Sequence, residues 1–435
     1  MTNSSSSSSN AYIMYEQHDC CPVCGSKHFA VGKERKEILN TVPFLGSESY
    51  RQAIISFTPA LCDICNLSFN VSGLSNQSRA LICEHYDFIK PSTGVCARNF
   101  TPYVDAVVEH LPNLDAKILD IGGYDGYLLR QLALKGYHNL TLVDPSAQVD
   151  DLQGAECAIK TIKGFFPQDD IVYQAREQGK NVDHELYDLV GSKDVIQMVP
   201  DPLVFMRGIN EVLKLGGKAI IGSTWFNLMH PLQNSHLGIN FYYYLAQHSG
   251  FKLISYDCKD KVSYVLYTFQ KVLDVRSAKS EELEHFANTP QQNPKSFAVH
   301  RTEDLNIINS NSSLSAAQIK QVNQLFKEQL LQHDELIIYG TGHHTFNMLA
   351  CLDFALDDSK LTLLNSDPHY KNRYFLMPNG QHHLVKYAPE VLTCRHVPCL
   401  VLGVLSAAFK AEIEELLKSI NCTYDQLIYL PEMDA

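Results

Sequence analysis

Two pairs of cysteines have a spacing that implies chemistry: Cys21-Pro-Val-Cys24 and, after 37 intervening residues, Cys62-Asp-Ile-Cys65. A CxxC turn brings two thiolates within reach of one tetrahedral Zn²⁺ at about 2.3 Å, and two such turns close the site with four protein ligands. A site closed in this way organises a fold and leaves no position for a reactant. A redox dithiol is the functional rival, incidental thiols are the bland alternative, and Cys20 reads as a bystander. The spacer exceeds that of compact zinc ribbons, so the stretch from about Lys33 to Ala60 must carry structure of its own.

The second constellation is "ILDIGGYDGYLLRQLALKGYHNLTLVDPS", residues 118–146. A dinucleotide fingerprint places glycines as G-x-G-x-x-G so that the backbone can approach a pyrophosphate. Started at Gly122, that pattern puts Tyr124 and Tyr127 where the second and third glycines belong, and a pyrophosphate would meet side chains. The stretch offers instead Asp120-x-Gly122-Gly123-x-x-Gly126, then Asp144-Pro145, the acid lying 18 residues beyond the last glycine. An acid at the end of a second strand is suited to accept from two ribose hydroxyls. Glycines without a phosphate seat, beside such an acid, fit an adenosine ligand that carries an amino acid: S-adenosylmethionine.

These residues need a scaffold, and the chain supplies its pattern. Lys117 to Ile121, Leu140 to Val143, Leu186 to Gly191 and Lys218 to Gly222 read as buried strands. Between them, segments such as Tyr127 to Lys135 and Pro202 to Leu213 have helical periodicity, and the alternation implies an α/β fold with a parallel sheet. "LKLGGKAII" reads as a helix end, a Gly-Gly turn and a strand. Residues 276–330 have linker composition with helical stretches, after which "ELIIYGTGHHTFNMLACL" and "LTLLNSDP" restart the alternation. The expected organisation is a disordered tail over 1–10, a zinc-binding module over 11–80, a Rossmann-like domain over 81–275, a linker and helix over 276–330, and a smaller Rossmann-like domain over 331–435.

The "DIGGYDG" stretch resembles the first motif of the class I S-adenosylmethionine-dependent methyltransferases, and Asp144 the acid that ends their second strand. "YDLVGSKDVIQMVPDPLVFMRGINEVLKLGGKAII" is similar to their fourth strand, helix and fifth strand, and "HLGINFYYYLAQHSGF" to their histidine and aromatic segment. The resemblance implies methyl transfer and a cofactor held by Asp120, Gly122, Gly123, Gly126, Asp144, Pro145 and, in the fourth strand, Ser192. The three-part layout resembles one subgroup, the zinc-containing C-methyltransferases of deoxysugar biosynthesis, which act on nucleotide-linked keto sugars. "HYDFIKPSTGV" is similar to that subgroup's tyrosine-then-serine stretch and places Tyr86 and Ser92 near the cofactor.

Transfer to a carbon beside a ketone needs a base for the proton and a donor for the enolate oxygen. The subgroup has a histidine after its fourth strand and His-Glu-His after its fifth; this chain has Met198, and Asn234-Ser235-His236. His236 is therefore the candidate base, with His230 and Tyr86 in reserve and Tyr242 or Tyr243 as donors. In the last unit, Gly340-Thr341-Gly342 supplies two of three fingerprint glycines, which fits nucleotide binding as well as mere packing.

The net charge of -12 and pI near 5.8 argue against a broad grip on nucleic acid and for a small-molecule substrate, nucleotide-linked if the resemblance holds. No apolar run of membrane-spanning length and no leader pattern is visible, so no membrane partner and a cytoplasmic location are expected. Three rivals to C-methylation stand: O- or N-methylation of a small molecule, a zinc-module RNA methyltransferase, and a lapsed methyltransferase-like binding protein.

Overall fold

The structure is a computed structural model. It describes residues 13–39, 52–84, 91–92, 94–148, 159–168, 172, 186–224, 229–257, 264–289, 294–310, 314–333, 335–404 and 407–429. The tail expected over 1–10 and Tyr86 lie outside the described residues. The chain divides into two compact units: residues 1–33 with 58–309, and residues 34–57 with 310–435.

The first unit opens with short antiparallel strands, β1 (Tyr15–Gln17), β2 (Phe29–Val31), the second half of β4 (Ala53–Cys62) and β5 (Ser68–Leu74), in the order β1-β5-β4-β2. Both cysteine pairs sit in turns of this module. Each turn ends on a left-handed residue, Gly25 (φ 70°) and Asn66 (φ 60°), types that tolerate this conformation. The backbone closes both turns alike, with Gly25 N donating to Cys21 O (2.9 Å) and Asn66 N to Cys62 O (3.2 Å).

A seven-stranded sheet follows, built from β6 (Lys117–Ile121), β7 (Asn139–Val143), β8 (Lys160–Ile162), β9 (Tyr187–Lys193), β10 (Leu213–Thr224), β12 (Phe251–Asp257) and β13 (Tyr264–Lys271). Its order is β8-β7-β6-β9-β10-β13-β12, with β13 antiparallel to both of its neighbours. The apolar runs are near-continuous because both faces are covered. Leu119, Ile121, Val190 and Ile221 enter the core shared with the cysteine module, whereas Ile118, Leu189 and Ile220 pack with helices Gly94–Glu109 and Tyr127–Leu134 on the other face. Helix Pro202–Val212 starts on Asp201, whose carboxylate accepts from Leu203 N and Val204 N, with Pro202 at its first turn. The turn expected at Gly216-Gly217 is a bulge inside β10, with Gly216 at φ 82°, since the strand already pairs with β9 at Leu213. The two-residue strand β11 (Ser235–His236) pairs with β5.

The strand order reverses between β6 and β9, and in such sheets ligands bind in the crevice outside the carboxyl ends of the strands at that switch point. The glycine stretch leaves the sheet there.

In the second unit, β14 (Leu336–Tyr339), β15 (Leu361–Asn365), β17 (His382–Tyr387), β18 (His396–Leu402) and β19 (Thr423–Tyr429) run parallel in the order β17-β15-β14-β18-β19. β16 (Tyr374–Leu376) lies antiparallel at one edge. The spacer between the cysteine pairs contributes to this unit: β3 (Arg35–Leu39) pairs with residues 53–57 of β4, and Ile38 packs with Leu336, Ile338 and Phe346. Most of the linker-like stretch is helical, over Ser280–Asn288, Pro294–Ile308 and Ala316–His333. No helix among the described residues is long and apolar enough to cross a membrane.

Candidate cofactor site

The glycine loop is shaped by what surrounds it. Gly122 has φ 76°, and a Cβ there would lie 2.1 Å from Val195 Cγ2. At Gly123 a Cβ would lie 2.2 Å from Asp120 Oδ2, so that side chain fills the space under the loop. Gly126, at φ 71°, caps helix Tyr127–Leu134. Tyr124 is also left-handed, at φ 47°, a conformation a tyrosine adopts only when held. The holding group is Asp144, whose Oδ2 accepts from Tyr124 N (3.0 Å) while Oδ1 accepts from Ser146 N (2.7 Å) and Ser146 Oγ (3.0 Å).

Asp144 is thus a brace as well as a candidate ribose acceptor. Three of its roughly four lone-pair sites are taken within the chain. Burial pushes its carboxyl up, against the pull of those hydrogen bonds. Asp120 is buried deeper, and burial, with the charges of Asp144 and Asp125, pushes it up to about 8. Pro145 is half-buried in the turn after β7. Ser192 is fully buried and donates to Ile121 O (3.0 Å), which fastens β9 to β6 directly beneath the loop. Ser92 reaches the same loop, its backbone N donating to Asp125 Oδ2 (3.0 Å).

The candidate base stands elsewhere in the unit. His236 is 2% exposed on β11, with Nδ1 2.9 Å from Gln233 Oε1 and Nε2 2.9 Å from Asn70 Oδ1. Both amides are oriented by other bonds, Asn70 Nδ2 donating to Gln233 O (2.8 Å) and Gln233 Nε2 to Thr224 Oγ1 (2.9 Å). A neutral imidazole has one N–H and can serve only one of these oxygens; both are served when both nitrogens are protonated. The ring therefore fastens β5 of the cysteine module to the segment after β10. His230 is half-buried, accepts from Leu232 N at Nδ1 (3.2 Å), and is pushed down to about 4 by burial. Tyr242 is fully buried and stacked on Tyr267 with centroids 3.6 Å apart; burial raises its hydroxyl, as it does that of Tyr243.

The four candidate metal ligands come together. The sulfurs of Cys21, Cys24, Cys62 and Cys65 all lie within 4.8 Å of one another, and Cys21–Cys65 and Cys24–Cys62 are each 3.5 Å apart. A tetrahedron with metal–sulfur bonds of about 2.3 Å has edges of roughly 3.8 Å, so the donor set fits Zn²⁺. Without a cation the thiols oppose one another: hydrogen bonding to Cys62 and burial push Cys21 up to about 12, while Cys62 is held low by bonds from Cys21 and Cys65.

Two features escaped the sequence reading. Asn70 gave no signal, being an unremarkable polar residue 166 positions from its histidine. The other is the ion pair Lys193–Asp194 at the carboxyl end of β9, hidden because neighbouring opposite charges are common on surfaces.

A family model described as a methyltransferase domain matches residues 97–262. Solved structures similar to the chain include an S-adenosylmethionine-dependent methyltransferase from Mesorhizobium loti, at 14% identity over 41% of this chain and 100% of that one, with a TM-score of 0.33. Another is a Burkholderia thailandensis 1,6-didemethyltoxoflavin-N1-methyltransferase, at 12% identity over 53% and 99% of the two chains, with a TM-score of 0.36. No curated protein matches the chain. The domain match, the sheet order and the glycine loop with its braced acid mark residues 97–262 as an S-adenosylmethionine-dependent methyltransferase domain of Rossmann-like fold.

Proposed function

We propose that this enzyme methylates a small, carried keto substrate, such as a nucleotide sugar, at the carbon beside the ketone, and that its four cysteines hold one structural Zn²⁺. The observation that supports the substrate reading is the layout: a four-cysteine module, the methyltransferase sheet and a second parallel α/β sheet in one chain. A closed tetrathiolate site supplies folding energy and no open coordination position. S-adenosylmethionine supplies the methyl group when bound. The residues of this chain then position it: the Gly122–Gly126 loop leaves the backbone open, Asp144 offers its remaining lone pair to the ribose, and Asp120 fills the floor.

One observation favours a second reading. Both ring nitrogens of His236 are engaged and Met198 stands where the resembling enzymes have a histidine, so transfer to oxygen or nitrogen, which needs less proton abstraction, suits this site. The experiment that decides is incubation with ¹³C-methyl S-adenosylmethionine and a nucleotide-linked 4-keto sugar. A ¹³C signal in the aliphatic C–CH₃ range supports the first reading; an O–CH₃ or N–CH₃ signal from any acceptor supports the second.

A further inference from the structure

The pair Lys193–Asp194 lies where β9 leaves the sheet, at the switch point. Asp194 is left-handed at φ 62°, and its backbone N donates to Gly222 O (2.8 Å) at the end of β10. Its neighbour Val195 is the side chain packed against Gly122, so the pair borders the glycine loop directly. Its carboxylate is ion-paired through Oδ2 to Lys193 Nζ, and Oδ1 is buried with no hydrogen-bond partner among the described residues. Lys193 is itself enclosed. Its side chain is 9% exposed, its stem passes Gly222, where a Cβ would lie 2.8 Å from Lys193 Cγ, and its ammonium stands 4.4 Å from the centroid of the Phe100 ring. Phe100 is fixed edge-on by Tyr103 and by Tyr127, the first residue of the glycine-loop helix.

The left-handed backbone at Asp194, which this residue type adopts readily, turns its carboxylate back onto the ammonium of Lys193. A lysine held out of water over an aromatic ring is a placed charge. We infer that Lys193 and Asp194 form a clamp for the amino-acid end of the cofactor, Lys193 taking the α-carboxylate and Asp194 the α-ammonium. The inference rests on the cofactor reading above. The bound zwitterion exchanges one ion pair for two, and the unpartnered Oδ1 acquires a donor. Each charge meets its opposite, so little unpaired charge is buried.

The test uses calorimetry on the full chain with two probes: S-adenosylhomocysteine, which has the amino-acid end, and 5′-methylthioadenosine, which lacks it. Asp194→Asn keeps a residue type that tolerates the left-handed backbone, and Lys193→Met keeps the stem over Phe100. Each variant is expected to bind S-adenosylhomocysteine roughly ten- to a hundredfold more weakly than wild type and 5′-methylthioadenosine within about twofold of it. An unchanged S-adenosylhomocysteine constant in either variant overturns the clamp, as does an equal loss for both probes. Wild type that binds neither probe overturns the cofactor reading itself. On the unmutated protein, decarboxylated S-adenosylhomocysteine should lose affinity by a similar factor; equal binding overturns the role of Lys193.

Discussion

Asp144→Asn separates the two roles of the acid at the end of β7. The substitution keeps volume and one oxygen but replaces the other by an NH₂ group. Whichever way the amide turns, that NH₂ faces a backbone N–H, of Tyr124 or of Ser146, now at 3.0 and 2.7 Å from carboxylate oxygens. At least one buried donor loses its acceptor and meets another donor. A buried unsatisfied group costs about 1–3 kcal/mol, more where the lost partner was charged. Relief of the repulsion with Asp120 works against this, because both carboxyls are pushed up by burial and Asp144 contributes to the rise at Asp120. The net expectation is a loss of roughly 1–3 kcal/mol in urea unfolding of the first unit. A separate loss of about 2–3 kcal/mol in S-adenosylhomocysteine binding, roughly thirty- to a hundredfold, follows from the ribose contact. Stability is read by urea titration with fluorescence, and affinity by calorimetry well below the midpoint. Unchanged stability would refute the brace. Unchanged affinity would leave Asp144 as a brace alone and place the ribose elsewhere.

Gly122→Ala forces a methyl group into Val195 at a left-handed position and should cost about 2–4 kcal/mol together with measurable S-adenosylhomocysteine binding; a calorimetric titration indistinguishable from wild type would show the loop to be looser than described. Asp120 has its folded value raised to about 8 from an ordinary 3.8, so the stability it contributes is full below pH 3.8 and declines as pH rises toward 8. Asp120→Asn should therefore gain on wild type between pH 5 and pH 8 in urea midpoint, and a constant difference would contradict the burial argument. His236→Ala strands the oxygen of Asn70, while Gln233 Oε1 keeps His230 N as a donor, and is expected to lower the urea midpoint by an amount equivalent to roughly 1–3 kcal/mol; loss of turnover with unchanged stability would restore the ring as a base. Protein purified without added metal should contain one zinc per chain, and Cys62→Ser should leave the cysteine module open to protease; a metal-free protein of full stability excludes the tetrathiolate site.

What could be read from the sequence was local. The CxxC pairs specify their own turns and the run Lys117 to Ile121 specifies a buried strand, which is where the structure puts them. What could not be read depends on long-range pairing. The spacer strand β3 reads Arg-Lys-Glu-Ile-Leu, charged residues followed by apolar ones with no strand-like alternation, and only the packing of Ile38 beside Leu336 and Phe346 assigns it to the second unit. The binding of His236 to Asn70 requires β11 to add to β5, a pairing that two residues of sequence cannot announce. The double role of Asp144 was half visible, since its position after a strand suggested a ligand while its hold on Tyr124 emerged only from the folded loop.

The central claim is that the first unit holds one S-adenosylmethionine at the Gly122–Gly126 loop against Asp144. Calorimetric titration of the wild-type chain with S-adenosylhomocysteine tests it most directly, run beside Asp144→Asn and Gly122→Ala. One site per chain with a micromolar constant, weakened in the first variant and lost in the second, is the predicted result. No heat at millimolar ligand, or binding that both substitutions leave untouched, would contradict it.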